Sequence, residues 1–182
     1  MSKHIVAIVG MPGAGKSEVS AIFQDAGFAR IRFGDATDSE LARRGLPLSE
    51  ENERRVREEL RRELGMAAYA VVNLPRIDAA LETASVVVDG LYSWEEYLAL
   101  KERYGDGLVT VAVVASPTVR KKRLGERPHR PLTAEEVESR DRSEIEQINK
   151  GGPIAMADIT LVNEGPLDDF RERVRAVVEA MS

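Results

Sequence analysis

A chain of 182 residues is long enough for one domain with a substantial core, and its 43% hydrophobic and 31% charged residues describe a globular protein with a charged surface. A formal net charge of −5 argues against general nucleic-acid binding, and the absence of cysteine excludes disulfides and thiolate metal sites. No apolar run is long enough to span a bilayer and the first residues run straight into a strand, so a cytoplasmic protein is expected; the oligomeric state is left open.

The first unit is an apolar run at 5–9, then Gly10-Met11-Pro12-Gly13-Ala14-Gly15-Lys16-Ser17, then an amphipathic segment at 18–27. This is G-x-x-x-x-G-K-S between a strand and a helix, the setting of a phosphate-binding loop. Glycines let the backbone wrap an anion without Cβ clashes, and the new helix adds its positive end. The candidate nucleotide cradle is therefore Gly10, Gly13, Ala14, Gly15, Lys16, Ser17 and Glu18, with Lys16 reaching the β and γ phosphates of ATP and Ser17 holding Mg²⁺. The plainer alternative is a Gly-rich turn. A dinucleotide fingerprint fits less well, because these glycines do not make G-x-G-x-x-G.

A short strand at 29–33 leads into Gly34-Asp35. Carboxylates at the carboxyl end of a strand in an open α/β sheet sit over the ligand crevice, which makes Asp35 a candidate for binding an acceptor or acting as its general base. Capping of the next helix by Asp35 or Asp38 is an equal alternative. Between Asp38 and Ser85 there is no strand signal. Glutamates and arginines interleave from Glu50 to Glu63 in favourable i,i+4 order, and Val56, Leu60, Leu64, Ala67 and Val71 mark a buried stripe. The reading is one long charged helix, interrupted or ended near Gly65 and certainly by Pro75. Its arginines form a solvated face or, alternatively, an acceptor-covering segment.

Val86-Val87-Val88-Asp89 is a buried strand ending in a second carboxylate, a candidate to hold Mg²⁺ through water or to bind the acceptor. Ser93 and Glu96 form a capping box opening a helix to about Tyr104, where Trp94, Tyr97, Leu98 and Tyr104 read as packing residues. After a strand at 108–115 the charge changes sharply: Arg120, Lys121, Lys122, Arg123, Arg127 and Arg130 face a single acid, Glu126. Such a cluster suits a lid closing over a transferring phosphoryl group; a helix carboxyl terminus is its rival. Thr133 and Glu136 form another capping box, and the helix they open has a loose end around Gly151-Gly152-Pro153. A last strand at 158–162 gives way to Asn163-Glu164-Gly165, an adenine-side turn or an ordinary one, and a closing helix packs Phe170 and Val174. Alternating strands and helices argue an α/β fold, a parallel sheet of five strands covered on both faces.

The phosphate loop, Phe33-Gly34-Asp35, Arg123-Leu124-Gly125-Glu126-Arg127, Leu132-Thr133-Ala134-Glu135-Glu136 with Arg140 beyond it, and the stretch from Ala157 to Gly165 together resemble the dephospho-CoA kinases. They are more similar still to an archaeal group of small, uncharacterised nucleotide kinases related to them. The resemblance implies a P-loop, nucleoside-monophosphate-kinase-like fold with strand order 2-3-1-4-5, one domain over 1–182, an acceptor-covering segment at about 38–84 and a lid at about 118–142. It implies ATP and Mg²⁺ as cofactors, Lys16, Asp35, Arg123, Arg127 and Arg140 as catalytic residues, Ser17 and Asp89 as metal ligands, and Asn163 and Gly165 on the adenine side. Two departures touch the acceptor side: Tyr92-Ser93 stands where the archaeal group tends to have Arg-Ser, and Asp38-Ser39-Glu40 where an arginine often helps hold the acceptor. The expected activity is transfer of the γ-phosphoryl group to a nucleotide-type acceptor, dephospho-CoA first and a nucleoside monophosphate second. The alternative is an ATP-binding regulatory or interaction protein, or a slow ATPase, with no phosphoryl acceptor.

Overall fold

The protein is seen in a computed structural model that describes residues 3–128 and 131–181. The chain begins with β1 (Ile5–Val9), whose residues are all buried, and turns through the glycine loop into α1 (Lys16–Asp25). Beyond it lie β2 (Ala29–Arg32), three helices α2 (Asp35–Arg43), α3 (Glu50–Leu64) and α4 (Ala68–Leu81), and β3 (Val86–Asp89). Next come α5 (Trp94–Tyr104), a short 3₁₀ turn (Gly105–Gly107) and β4 (Leu108–Val114). The last part is α6 (Pro117–Gly125), α7 (Ala134–Glu146), α8 (Gly151–Ala155), β5 (Ile159–Val162) and α9 (Leu167–Glu179).

All strand pairs are parallel and the order is β2-β3-β1-β4-β5, as the resemblance implied. β1, β3 and most of β4 are continuous apolar runs because helices cover both faces of the sheet. The edge strands β2 and β5 instead each bury a single residue, Ile31 and Leu161, between exposed neighbours. One face, from Ile5, Ala7 and Val9, packs on α2, α4 and α5 through Ala36, Tyr69, Ile77 and Leu100. The other, from Val6 and Ile8, packs on α1 and α9 through Phe23, Phe170 and Val174.

Four expectations change. The helix does not stop at Pro75, which lies inside α4: a proline there forfeits one backbone bond, and burial of Tyr69, Ala70, Asn73 and Ile77 around it outweighs that loss. Leu64 and Val71 are exposed, because Gly65 separates α3 from α4 and resets the helical phase of the stripe. Leu98 points to solvent, while Trp94 and Tyr97 stack at 5.1 Å. Finally, Gly151-Gly152-Pro153 is the start of α8 rather than a loose end. Both predicted capping boxes are formed.

Candidate nucleotide site

The loop between β1 and α1 has Gly10, Gly13 and Gly15 at positive φ. Space matters as much as φ: a Cβ on Gly10 would lie 2.3 Å from the Val113 carbonyl oxygen, and one on Gly15 would lie 2.4 Å from Asn163 Nδ2. α1 begins with left-handed Gly15 as its N-cap and no side chain closing its first turn, whereas Ser49, Ser93, Ser116 and Thr133 cap α3, α5, α6 and α7. An uncapped helix start behind a glycine loop leaves N–H groups for an anion.

Lys16 Nζ donates to the carbonyls of Gly10 at 2.8 Å and Met11 at 3.1 Å. Burial, reinforced by the nearby Lys150 ammonium, lowers its pKa to about 8, against the pull of Glu144 and Asp89. Ser17 comes directly after it on the first turn of α1. Asp89 ends β3 directly beside Ile8 of β1, and its carboxylate accepts from Arg30 Nε at 3.2 Å. A hydroxyl and a carboxylate are the hard oxygen donors that Mg²⁺ takes alongside phosphates and water, so the pair fits that ion. Among the described residues no three acidic or histidine side chains cluster into a metal cage of their own.

The structure brings some of the remaining residues to the loop as braces. Ala14 is buried; its N–H donates to Met11 at 3.2 Å and its carbonyl accepts from Asn163 Nδ2 at 2.8 Å. Asn163, expected at the adenine, thus spends its amide on the protein, with Arg123 Nη2 donating to its Oδ1 at 3.3 Å. Gly165 is exposed on the turn beyond β5. Glu18 pairs with Arg171 of α9. The basic cluster divides: Arg120 to Arg123 lie on α6, Arg127 is exposed in the segment after it, and Arg130 lies outside the described residues. Arg123 Nη1 is buried with no hydrogen-bond partner. Arg140 on α7 is exposed, with its Nε 3.4 Å from Glu144, yet its charge reaches Lys16.

Across the crevice Asp35 occupies the first turn of α2 without capping it. Its carboxylate pairs with Arg32 at 2.9 Å and Arg76 at 3.3 Å. A cleft of about 330 Å³ opens beside it between α2, α3 and α4, with Ser39, Arg43, Asn73 and Arg76 in its wall. A larger dent of about 410 Å³ lies at the opposite end of α1 from the loop, against Arg175 and Glu179, and is unconnected with this chemistry.

Several residues take positions at the site that their sequence signals did not specify. Arg120 is buried and donates to Pro12 of the loop at 3.2 Å, to the Ala115 carbonyl at 3.1 Å and to Asp141 of α7 at 2.8 and 2.7 Å. Arg61 of α3 turns inward, 5.4 Å from the Tyr69 ring centroid. Tyr92 lies against Gly90 and Gly34, between the ends of β3 and β2. Glu96 is fully buried; its carboxylate accepts from the Tyr92 N–H at 2.8 Å, and burial still raises its pKa to about 7. Lys150, equally buried, pairs with Glu144 and covers the Tyr92 ring.

A doubly covered parallel sheet in this strand order, with a glycine loop and lysine after its central strand, defines a P-loop fold of the nucleoside-monophosphate-kinase type. A family model described as an AAA domain matches residues 6–149. A UPF0200 protein of Thermococcus gammatolerans is 36% identical over 179 residues, covering 96% of this chain and 94% of the relative, and the chain belongs to the UPF0200 family. Among solved structures, a shikimate kinase from Bacteroides thetaiotaomicron matches with TM-score 0.61 at 15% identity, covering 98% of both chains. A gluconokinase from Sinorhizobium meliloti matches with TM-score 0.58 at 19% identity, covering 99% of this chain and 93% of the other. At such identities these likenesses speak for the fold. No helix among the described residues is long and apolar enough to cross a membrane.

Proposed function

We propose that the protein is a phosphotransferase that moves the γ-phosphoryl group of Mg-ATP to a nucleotide-type acceptor, with dephospho-CoA as the first acceptor to test and nucleoside monophosphates as the second. The observation that supports this reading is that the phosphate loop and two carboxylates lie at the carboxyl ends of neighbouring strands. Lys16 and Asp89 stand at the ends of β1 and β3, and Asp35 between Arg32 and Arg76 stands at the end of β2. In the reaction the bond between the γ phosphorus and the β,γ-bridging oxygen breaks, ADP leaves with that oxygen, and a new bond forms to an acceptor oxygen. Where the acceptor is a hydroxyl, Asp35 takes its proton. Ser17 and Asp89 would hold Mg²⁺, which neutralises charge on the phosphates when bound. The arginines beside Asp35 suit a phosphate on the acceptor, since guanidinium forks bind it in two-point fashion. Arg123, Arg127 and Arg140 are the cations assigned to the transferring group.

Lys16→Ala is expected to abolish turnover in a folded protein, and full activity in that variant would overturn the assignment. Asp35→Asn is expected to lower kcat by about a hundredfold or more with little change in ATP affinity. Equal loss of both would make Asp35 a structural residue. A second reading, an ATP-dependent regulatory protein that transfers nothing, draws on the same carboxylate, because both oxygens of Asp35 are already paired with arginines. Tight ATP binding with negligible ADP formation under every acceptor favours it.

A further inference from the structure

The turn between α7 and α8 is built to hold one ammonium inside the protein. Asn149 is the one non-glycine described residue at clearly positive φ, 52°, and its side chain donates to Glu95 at 3.2 Å. Gly152 lies so close to Trp94 that a Cβ would come within 2.7 Å of the indole, and Pro153 is buried. The turn is thereby fastened to α5, and Lys150 between these anchors enters the core with its side chain 1% exposed. Its N–H donates to the Glu144 carbonyl at 3.1 Å, its ammonium pairs with the Glu144 carboxylate, and Nζ sits 5.1 Å from the Tyr92 ring centroid.

A buried lysine paired with a glutamate is often only structural. Two observations argue for more. The fold places Lys150 beside the loop: Arg120 joins the Pro12 carbonyl to Asp141 of α7, Glu144 stands one turn further along that helix, and the Tyr92 ring under Nζ lies over the end of β3, the neighbour of β1. The surrounding charge also does not balance. Glu144 serves two cations, Lys150 and Arg140, Asp89 is taken by Arg30, and Lys16 rests on the uncharged carbonyls of Gly10 and Met11. Like charges held together in a poorly solvated place are costly unless an anion comes between them. The phosphate loop beside them is where a polyanion binds.

We propose that Lys150 is a second lysine for the terminal phosphoryl group: with Mg-ATP in the loop its ammonium exchanges Glu144 for a γ-phosphate oxygen, sharing that group with Lys16. This rests on the donor half of the function proposed above and is independent of the acceptor. It also supplies a cation against the face of Tyr92.

The test compares binding of Mg-ADP and of the non-hydrolysable β,γ-imido analogue of Mg-ATP by calorimetry. The proteins are the wild type and the doubly neutralised K150M/E144Q variant, which leaves no stranded buried charge. The expected result is that the variant loses about tenfold in affinity for the analogue, the effect of one charge-assisted hydrogen bond, and less than twofold for ADP. Equal affinities of variant and wild type for the analogue, or equal losses for both nucleotides, would overturn the proposal. A parallel measurement needs no substitution: with ¹³Cε-labelled lysine, the Lys150 signal of the wild type shifts with the analogue and stays put with ADP. The opposite pattern also overturns the proposal. If the analogue depends on Lys150 but no acceptor is phosphorylated, the transfer reading fails and this one stands. If neither nucleotide binds, both fail.

Discussion

Lys16 concentrates the electrostatics of the donor side. Its pKa near 8 means that about half of the molecules carry it neutral at that pH. A polyphosphate favours the ammonium, so binding must restore the missing proton. Mg-ATP affinity is therefore expected to fall as pH rises from 7 to 9.5, and binding at pH 8.5 to take up a proton, seen as a dependence of the calorimetric heat on the buffer's ionisation enthalpy. Affinity that is flat across this range would contradict the assigned environment. The stability consequence has the opposite sign. Since the folded pKa of about 8 lies below the ordinary 10.5, the unfolded chain holds more protons between those values, and the Lys16 contribution to stability rises through that window. Below pH 8 burying the ammonium costs on the order of 3 kcal/mol. Lys16→Met should accordingly melt higher than wild type at pH 7, with the gap narrowing from about pH 8 and closing by about pH 10.5.

Among the elements, the coupling that matters joins the loop to α6 and α7. Arg120 spends one guanidinium on Pro12, Ala115 and Asp141, so the phosphate loop, the end of β4 and α7 share a single buried side chain. Asp141→Ala would strand that cation and is expected to cost about 3–5 kcal/mol in denaturant unfolding. The R120M/D141L pair should recover most of the stability without recovering nucleotide affinity, because the hold on Pro12 is gone. Additive losses in the double variant would show that the two residues act separately. This coupling was not legible in the sequence. Arg120 sits in a run of cations that any helix face could carry, and its partner lies 21 residues away. Local signals read more faithfully: Ser93 with Glu96 and Thr133 with Glu136 specify helix starts by chemistry within one turn, and both are formed. Pro75 misled for the same reason, since the packing of α4 that tolerates it comes from residues far away in the chain.

Over the whole molecule, β1 and β3 end side by side, β1 running into the glycine loop and β3 closing on Asp89 with Tyr92 just beyond. The donor side was legible because its glycines, Lys16 and Ser17 are contiguous and their spacing is the mechanism. The strand order came with the family resemblance, because periodicity alone sets no neighbours. Tertiary packing assembles the part that the sequence hid: Arg32 and Arg76 around Asp35 come from β2 and α4, Arg61 turns inward from the charged helix α3, and Lys150 arrives in an unremarkable Asn-Lys-Gly-Gly turn. Of these, Arg76 lines the cleft beside Asp35, and in the proposed reading Arg32 and Arg76 serve the acceptor and Lys150 the donor.

That question is settled by measuring ADP release from Mg-ATP with dephospho-CoA, with each common nucleoside monophosphate and with no acceptor, identifying any phosphorylated product by mass. The account predicts that one acceptor raises the rate well above background, gains one phosphate per ADP formed, and loses this advantage in Asp35→Asn. ATP binding with the same slow background under every acceptor, and no phosphorylated product, would contradict it.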